Sequence, residues 1–226
     1  MPVEPKLAAS VAAVAGRSLL WGRRSESAKF LPGFHVMPGG VLHETDGRAP
    51  HDGGPQARLR VAALRELFEE TGVLVASPEP GEAEKASLRD AFRTDPVEGA
   101  ERFAALGLVW QTSRLEALGR WVTPTFAPQR FDASFFLLRL EEPVPVDPAL
   151  DELDELEWVE AGAALARWSR GRILLAPPLA SVLRAMAAGD VRRARDAHGA
   201  DGRPTQRWEV VPDLAALSVR TPTLPP

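Results

Sequence analysis

The segment QARLRVAALRELFEETG, residues 56–72, carries the strongest helical signal in the chain, and every other element has to be accommodated around it. Leu59, Ala63, Leu67 and Phe68 recur at the three- and four-residue spacing of one helical face, Leu64 borders that face, and Gly72 stands where the helix has to end. Glu66, Glu69 and Glu70 lie at i, i+3 and i+4, so the helix brings three carboxylates together about 5–6 Å apart at Cβ, away from Leu67 and Phe68. Three neighbouring anions repel one another. The spacing therefore has two readings, a solvated charged face or a face that meets a cation.

Composition limits what that cation can be. None of the 226 residues is Cys, which removes disulfides, thiolate zinc, iron–sulfur clusters and a Cys nucleophile together. Any metal must be held by oxygen or imidazole, and His35, His43, His51 and His198 show no ligand spacing. Mg²⁺ and Mn²⁺ are the hard ions that prefer carboxylate oxygen and keep waters for a phosphate to replace. Other classes recede on similar grounds. A formal charge of −4, from 27 Lys and Arg against 31 Asp and Glu, gives no general basic field for nucleic acid. The apolar stretch of residues 7–16 is about half of the ~20 residues a bilayer span needs, and Glu4 stands where a signal peptide would be basic. No GxSxG elbow supports a serine hydrolase. A cytoplasmic protein with neither nucleic-acid nor membrane partners is expected.

The rest of the chain supplies sheet and further helices. Residues 7–21 predict two short strands, or one with a bend, around Gly16-Arg17. Residues 33–40, GFHVMPGG, and the Gly/Pro-punctuated stretch 41–55 predict loops without regular structure. A short strand is expected at 73–76, one or two helices over 82–105 broken near Pro96, and strands at 115–122 and 133–140. The acidic run 147–160 ends in a candidate strand around Leu156 and Trp158, and helices are expected at about 161–169 and 178–188. This division gives a domain over 1–189 and an extended tail over 190–226, in which residues 208–211 are a candidate strand.

Residues 65–73, RELFEETGV, match position for position the second half of the Nudix box, Arg-Glu-apolar-x-Glu-Glu-x-Gly-apolar, and Pro38-Gly39-Gly40 lies ahead of them. The chain resembles that family but departs from the first half of the box. Between Gly40 and Arg65 lie 24 residues where the pattern has 13, an insertion of 11; Asp46 falls at the distance of the family's first Glu, with Glu44 nearby. An interrupted box is similar to the branch that includes the peroxisomal coenzyme A diphosphatases. Arg23-Arg24 followed by residues 33–40 is similar to that branch's coenzyme A signature, with Met37 in place of Phe. Residues 120–124 (RWVTP), 130–136 (RFDASFF) and 175–178 (LAPP) also resemble it, so that the likeness spans about residues 6–188.

The resemblance implies an α/β (α+β) fold, a Nudix-type α/β/α sandwich with a mixed sheet, here with extra helices between residues 80 and 110 and at the C-terminus. It implies Mg²⁺- or Mn²⁺-dependent hydrolysis of a diphosphate linkage, with coenzyme A or acyl-coenzyme A as first expectation. Glu66 and Glu70 are then metal ligands, with Glu69 a third or water-mediated one, and Arg65 orients them. The catalytic set is Glu66, Glu69, Arg65 and a base from the box or a later acidic loop, there Glu155 and then Glu152. Arg23, Arg24, His35, Gly39 and Gly40 are expected on the substrate side, with a small nucleotide diphosphate as partner and homodimerisation left open. Two rival readings stand beside this one: another diphosphate, such as ADP-ribose, a dinucleotide or a nucleoside triphosphate, or a silent binding module, against which the three intact box carboxylates argue. Residues 219–226, VRTPTLPP, resemble the opening strand of some metallo-β-lactamase-fold hydrolases or are a frayed terminus.

Overall fold

A computed structural model of the chain describes residues 3–125, 127–148 and 153–191. The expected strand at 208–211 and the segment 219–226 lie outside them. Two strands form the opening hairpin, β1 (Lys6–Ala15) and β2 (Ser18–Arg24). β1 is Ala-rich because it is central and buried on both faces, which also explains its weak alternation. It pairs in parallel with β8 (Phe131–Leu140) along ten residues, and β8 pairs antiparallel with β7 (Leu115–Val122).

β1 and β2 stay together only at Val14↔Leu19 and Ala15↔Ser18. Beyond that point they splay, and the segment expected to be a featureless loop fills the gap with two three-residue strands. β3 (Phe34–Val36) pairs with β2, and β4 (Gly39–Val41) pairs with β1 at Ala8–Ser10. β9 (Leu153–Glu160) covers the other edge of β2, and β10 (Leu174–Leu175) pairs with β3. The result among the described residues is a mixed, curled eight-stranded sheet, with β5 (Ala76–Ser77) and β6 (Val109–Trp110) as a separate two-stranded ribbon. β5 is shorter than the strand expected at 73–76, and β6 has no sequence expectation behind it.

Helices cover both faces. On one lie α1 (Ala57–Thr71), α2 (Glu82–Thr94) and α3 (Pro96–Ala105), whose Leu64, Phe68, Phe92 and Phe103 pack with Trp110 on Ala9, Val11, Leu20 and Phe136. On the other lie α4 (Ala161–Ser169) and α5 (Pro177–Ala187), whose Ala164, Leu179 and Leu183 pack on Ala12, Val14, Leu19 and Trp21. This is the expected α/β/α sandwich, with the extra helices where they were expected.

The stretch 41–55 is not wholly irregular. Residues Glu44–Gly47 form a 3-10 turn capped by His43. The rest of the insertion is fastened to the ribbon by Asp52 N–H on the Trp110 carbonyl and Trp110 N–H on the Pro50 carbonyl. The Asp52 carboxylate accepts from Thr112 Oγ1 at 2.8 Å and Ser113 N at 2.9 Å, and Arg60 donates to the Thr112 carbonyl at 2.9 Å. Likewise the segments RWVTP and RFDASFF are two sides of one hairpin, joined by the Arg120–Asp132 ion pair and by Arg130 on the Thr123 carbonyl.

Candidate active site

α1 begins after Gln56 in a left-handed conformation and ends at Gly72, φ 77°, whose N–H closes the helix on the Phe68 carbonyl. It is buried around most of its circumference, so its charged residues are not a solvated face: Arg65 is 3% exposed and Glu70 5%. Burial by itself lowers the Arg65 pKa, but Glu66, Asp46 and Glu69 outweigh it and hold the guanidinium firmly charged.

Arg65 gathers the site. Its Nε and Nη2 donate to the two oxygens of Asp46 at 2.8 and 3.2 Å, its Nη1 to Glu66 at 2.9 Å and Glu69 at 3.0 Å, and its Nη2 to the Val41 carbonyl at 3.1 Å. Asp46, 1% exposed, also accepts from His43 N at 2.7 Å. It therefore takes the place that its distance from Gly40 suggested. The glycine pair lies against the carboxylates of the helix. Gly39 N–H donates to Glu70 Oε2 at 2.9 Å, and a Cβ on Gly40 would stand 2.5 Å from the Glu66 carboxyl carbon.

The other expected residues separate by face. Along β2, Leu20 belongs to the α1 side and Leu19 and Trp21 to the α4/α5 side, so alternation sends Arg23 to the α4/α5 side; the pairing with β9 is irregular between Arg23 and Arg24. Arg23 is engaged by Glu26 at 2.8 Å, Asp154 at 3.1 Å and Glu155 at 3.2 Å. That corrects two expectations. Glu155 is the cross-strand partner of Arg23 on the far face of the sheet and does not meet the box carboxylates, and Arg23 is occupied by three carboxylates rather than offered to substrate. The alternative base Glu152 lies outside the described residues. Arg24 differs from its neighbour: its Nε is buried without a hydrogen-bond partner among the described residues.

His35 is also corrected as a substrate contact. It is 3% exposed on the α4/α5 side, its ring 4.6 Å from that of Trp21 and its Nδ1 3.2 Å from the Leu174 carbonyl. Burial pushes its pKa below the ordinary 6.5 despite the Leu174 carbonyl, with Arg167 adding to the depression and Glu155 and Glu157 opposing it.

Two residues were missed by sequence reasoning. Arg89 of α2 and Asp147 join the end of α1 to the segment between β8 and β9. The signal for Arg89 was a lone Arg in the buried stripe of α2, beside Leu88 and Phe92.

Asp46, Glu66, Glu69 and Glu70 against Arg65 leave three net negative charges in nearly buried surroundings, all on hard oxygen donors. That donor set fits Mg²⁺ or Mn²⁺. Among the described residues no three His, Asp or Glu side chains already converge as a metal cage.

The family profile of the NUDT19 Nudix domain matches residues 54–186, more than half of the chain. The chain belongs to the Nudix family. Within it, the human acyl-coenzyme A diphosphatase NUDT19 is 31% identical, over 72% of this chain and 58% of its own length, and the Gallus gallus protein of that name is 26% identical over 71% and 58%. The chain thus spans little more than half the length of these curated relatives. The crystal structure of a Nudix hydrolase from Alicyclobacillus acidocaldarius superposes with a TM-score of 0.73 at 27% identity, over 86% of this chain and 96% of that one. That Nudix fold is therefore shared nearly end to end.

Proposed function

We propose that the chain hydrolyses the diphosphate linkage of coenzyme A or an acyl-coenzyme A in a reaction dependent on Mg²⁺ or Mn²⁺. The observation that carries this reading is the Arg65-centred carboxylate cluster, intact in a chain whose relatives are named acyl-coenzyme A diphosphatases. Glu66, Glu69 and Glu70 would hold the ion. When bound, such an ion lowers the pKa of an attacking water and offsets charge on the phosphate oxygens.

The chain's own residues do the rest by position. Arg65 keeps Glu66 and Glu69 at fixed places through a buried bidentate grip on Asp46, and Gly39 N–H orients Glu70. With Glu155 on the far face, the role of proton acceptor falls to Glu66 or Glu69. Arg24, whose Nε is buried without a hydrogen-bond partner among the described residues, supplies a guanidinium for a phosphate oxygen of the substrate.

The test is hydrolysis with Mg²⁺ and then Mn²⁺ across coenzyme A, acetyl-coenzyme A, ADP-ribose, NADH and diadenosine polyphosphates, with products identified by mass. Preferential cleavage of coenzyme A species into an adenosine bisphosphate and a phosphopantetheine product is the expected result. Preference for another diphosphate would keep the carboxylate chemistry and remove the coenzyme A reading, and no turnover of any of them would favour a silent binding module.

A further inference from the structure

The last turn of α1 holds Glu69 and Glu70 and no basic residue. Two carboxylates thus sit at the negative end of the helix dipole, where the final carbonyls also lack intrahelical donors. Arg65 pairs with Glu69 from within the helix, and a second guanidinium reaches the end of α1 from another element. Arg89, 8% exposed on α2, donates from Nε to the Glu69 carbonyl at 3.0 Å, from Nη1 to Asp147 Oδ2 at 2.8 Å and from Nη2 to the Asp147 carbonyl at 2.6 Å. Asp147 closes the ring by donating its N–H to the Thr71 carbonyl at 3.1 Å. Gly72 leaves space for this guanidinium: a Cβ there would lie 3.3 Å from Arg89 Nη1.

We infer that Arg89 is a positioning residue of the active site, fixing and electrostatically balancing the turn that carries Glu69 and Glu70, and that the α2–α3 pair is thereby part of the catalytic apparatus. Arg89 acts through the main chain of Glu69 rather than on substrate. The arrangement needs three donors in one plane, which a guanidinium has and an ammonium lacks. It also ties the segment that leads from β8 to β9 to the end of the Nudix helix, so that one side chain joins α2, the end of α1 and that segment. The inference rests on the metal-dependent reading, but its test separates the two.

Mn²⁺ binding by calorimetry and steady-state hydrolysis are compared for the wild type, Arg89→Ala, Arg89→Lys and Asp147→Ala. Groups that support metal ligands from behind typically contribute 10–100-fold in affinity or activity, so Arg89→Ala is expected to weaken Mn²⁺ binding and lower kcat by about that factor. KM should stay within about twofold, because substrate contacts are untouched. Arg89→Lys should restore part of both. Asp147→Ala, at a side chain 81% exposed and so safe for folding, should give an intermediate loss. Unchanged Mn²⁺ affinity and kcat in Asp147→Ala and Arg89→Lys would overturn the inference, whatever the variants do to Tm, and these two decide it even where Arg89→Ala fails to fold. A wild type that binds Mn²⁺ yet cleaves no coenzyme A species would sink the substrate reading alone, and the binding comparison would still decide the role of Arg89.

Discussion

Asp46, Glu66 and Glu69 share one guanidinium, and the partner that matters most for folding is the one the box pattern made hardest to find. Asp46 is buried with Arg65 in a bidentate pair, so Asp46→Ala leaves the buried Arg65 Nε without its acceptor while Glu66 and Glu69 still pair the charge, and should cost about 1–3 kcal/mol in denaturant unfolding. Glu70→Gln is the contrasting change. It keeps an acceptor for Gly39 N–H and removes only the charge, so most hydrolytic activity should disappear while Tm stays close to wild type; retained activity would refute the ligand assignment. Of the twin arginines, Arg24→Ala should raise KM and leave stability nearly unchanged, whereas Arg23→Ala should loosen the β2–β9 edge and leave KM alone. His35 gives a pH signature. Its pKa is lowered on folding, so the unfolded chain takes up the proton first, and the stability His35 contributes is present above pH 6.5 and lost as pH falls through its folded value. Thermal unfolding followed from pH 7.5 to 5 should therefore show a shallower acid decline in His35→Phe.

Elements place these residues by the way β1 and β2 part. The gap between them is filled by β3 and β4, and Val11 N–H on the Pro38 carbonyl fixes the Pro-Gly-Gly turn against β1. β4 in turn packs beside α1 so closely that Gly40 has no room for a side chain. Gly40→Ala should push the Glu66 carboxylate off its position, with a stability loss of about 1–3 kcal/mol and a much larger proportional loss of kcat than the stability change would suggest. Steady-state kinetics on folded protein, set beside denaturant unfolding, separates those two effects. The interrupted box is stabilised on similar lines: the extra residues are not a free loop but a strap fastened through Asp52 to Thr112 and Ser113.

At the scale of the molecule, the carboxylates of the site gather along the second half of α1, and their counterweights come from two elements: Arg65 from the helix itself and Arg89 from α2. A divalent ion bound there stabilises only the folded state. At 100 times its dissociation constant it should add about 2.7 kcal/mol. For a chain of this size that corresponds to a rise in Tm of roughly 5–10 °C. Glu70→Gln should blunt the rise, and a wild-type Tm indifferent to Mg²⁺ and Mn²⁺ would contradict the site.

The sequence by itself determined the elements whose signals are local: α1 with its three carboxylates and glycine stop, the helical stretch 82–105 with its break near Pro96, and the strands at 115–122 and 133–140, the second of which begins two residues earlier in the structure. It also located Asp46, because spacing from Gly40 survives an insertion placed after it. The three-residue strands β3 and β4 were illegible, since their strand character comes from pairing with β1 and β2 and not from propensity. Which face a residue takes was likewise decided only by the tertiary structure. Glu155 and Arg23 look as eligible in sequence as Glu70 and Arg24, and the sheet puts them behind it. Arg89 and Asp147 are 58 residues apart, and nothing short of the packed fold brings them to the end of the same helix.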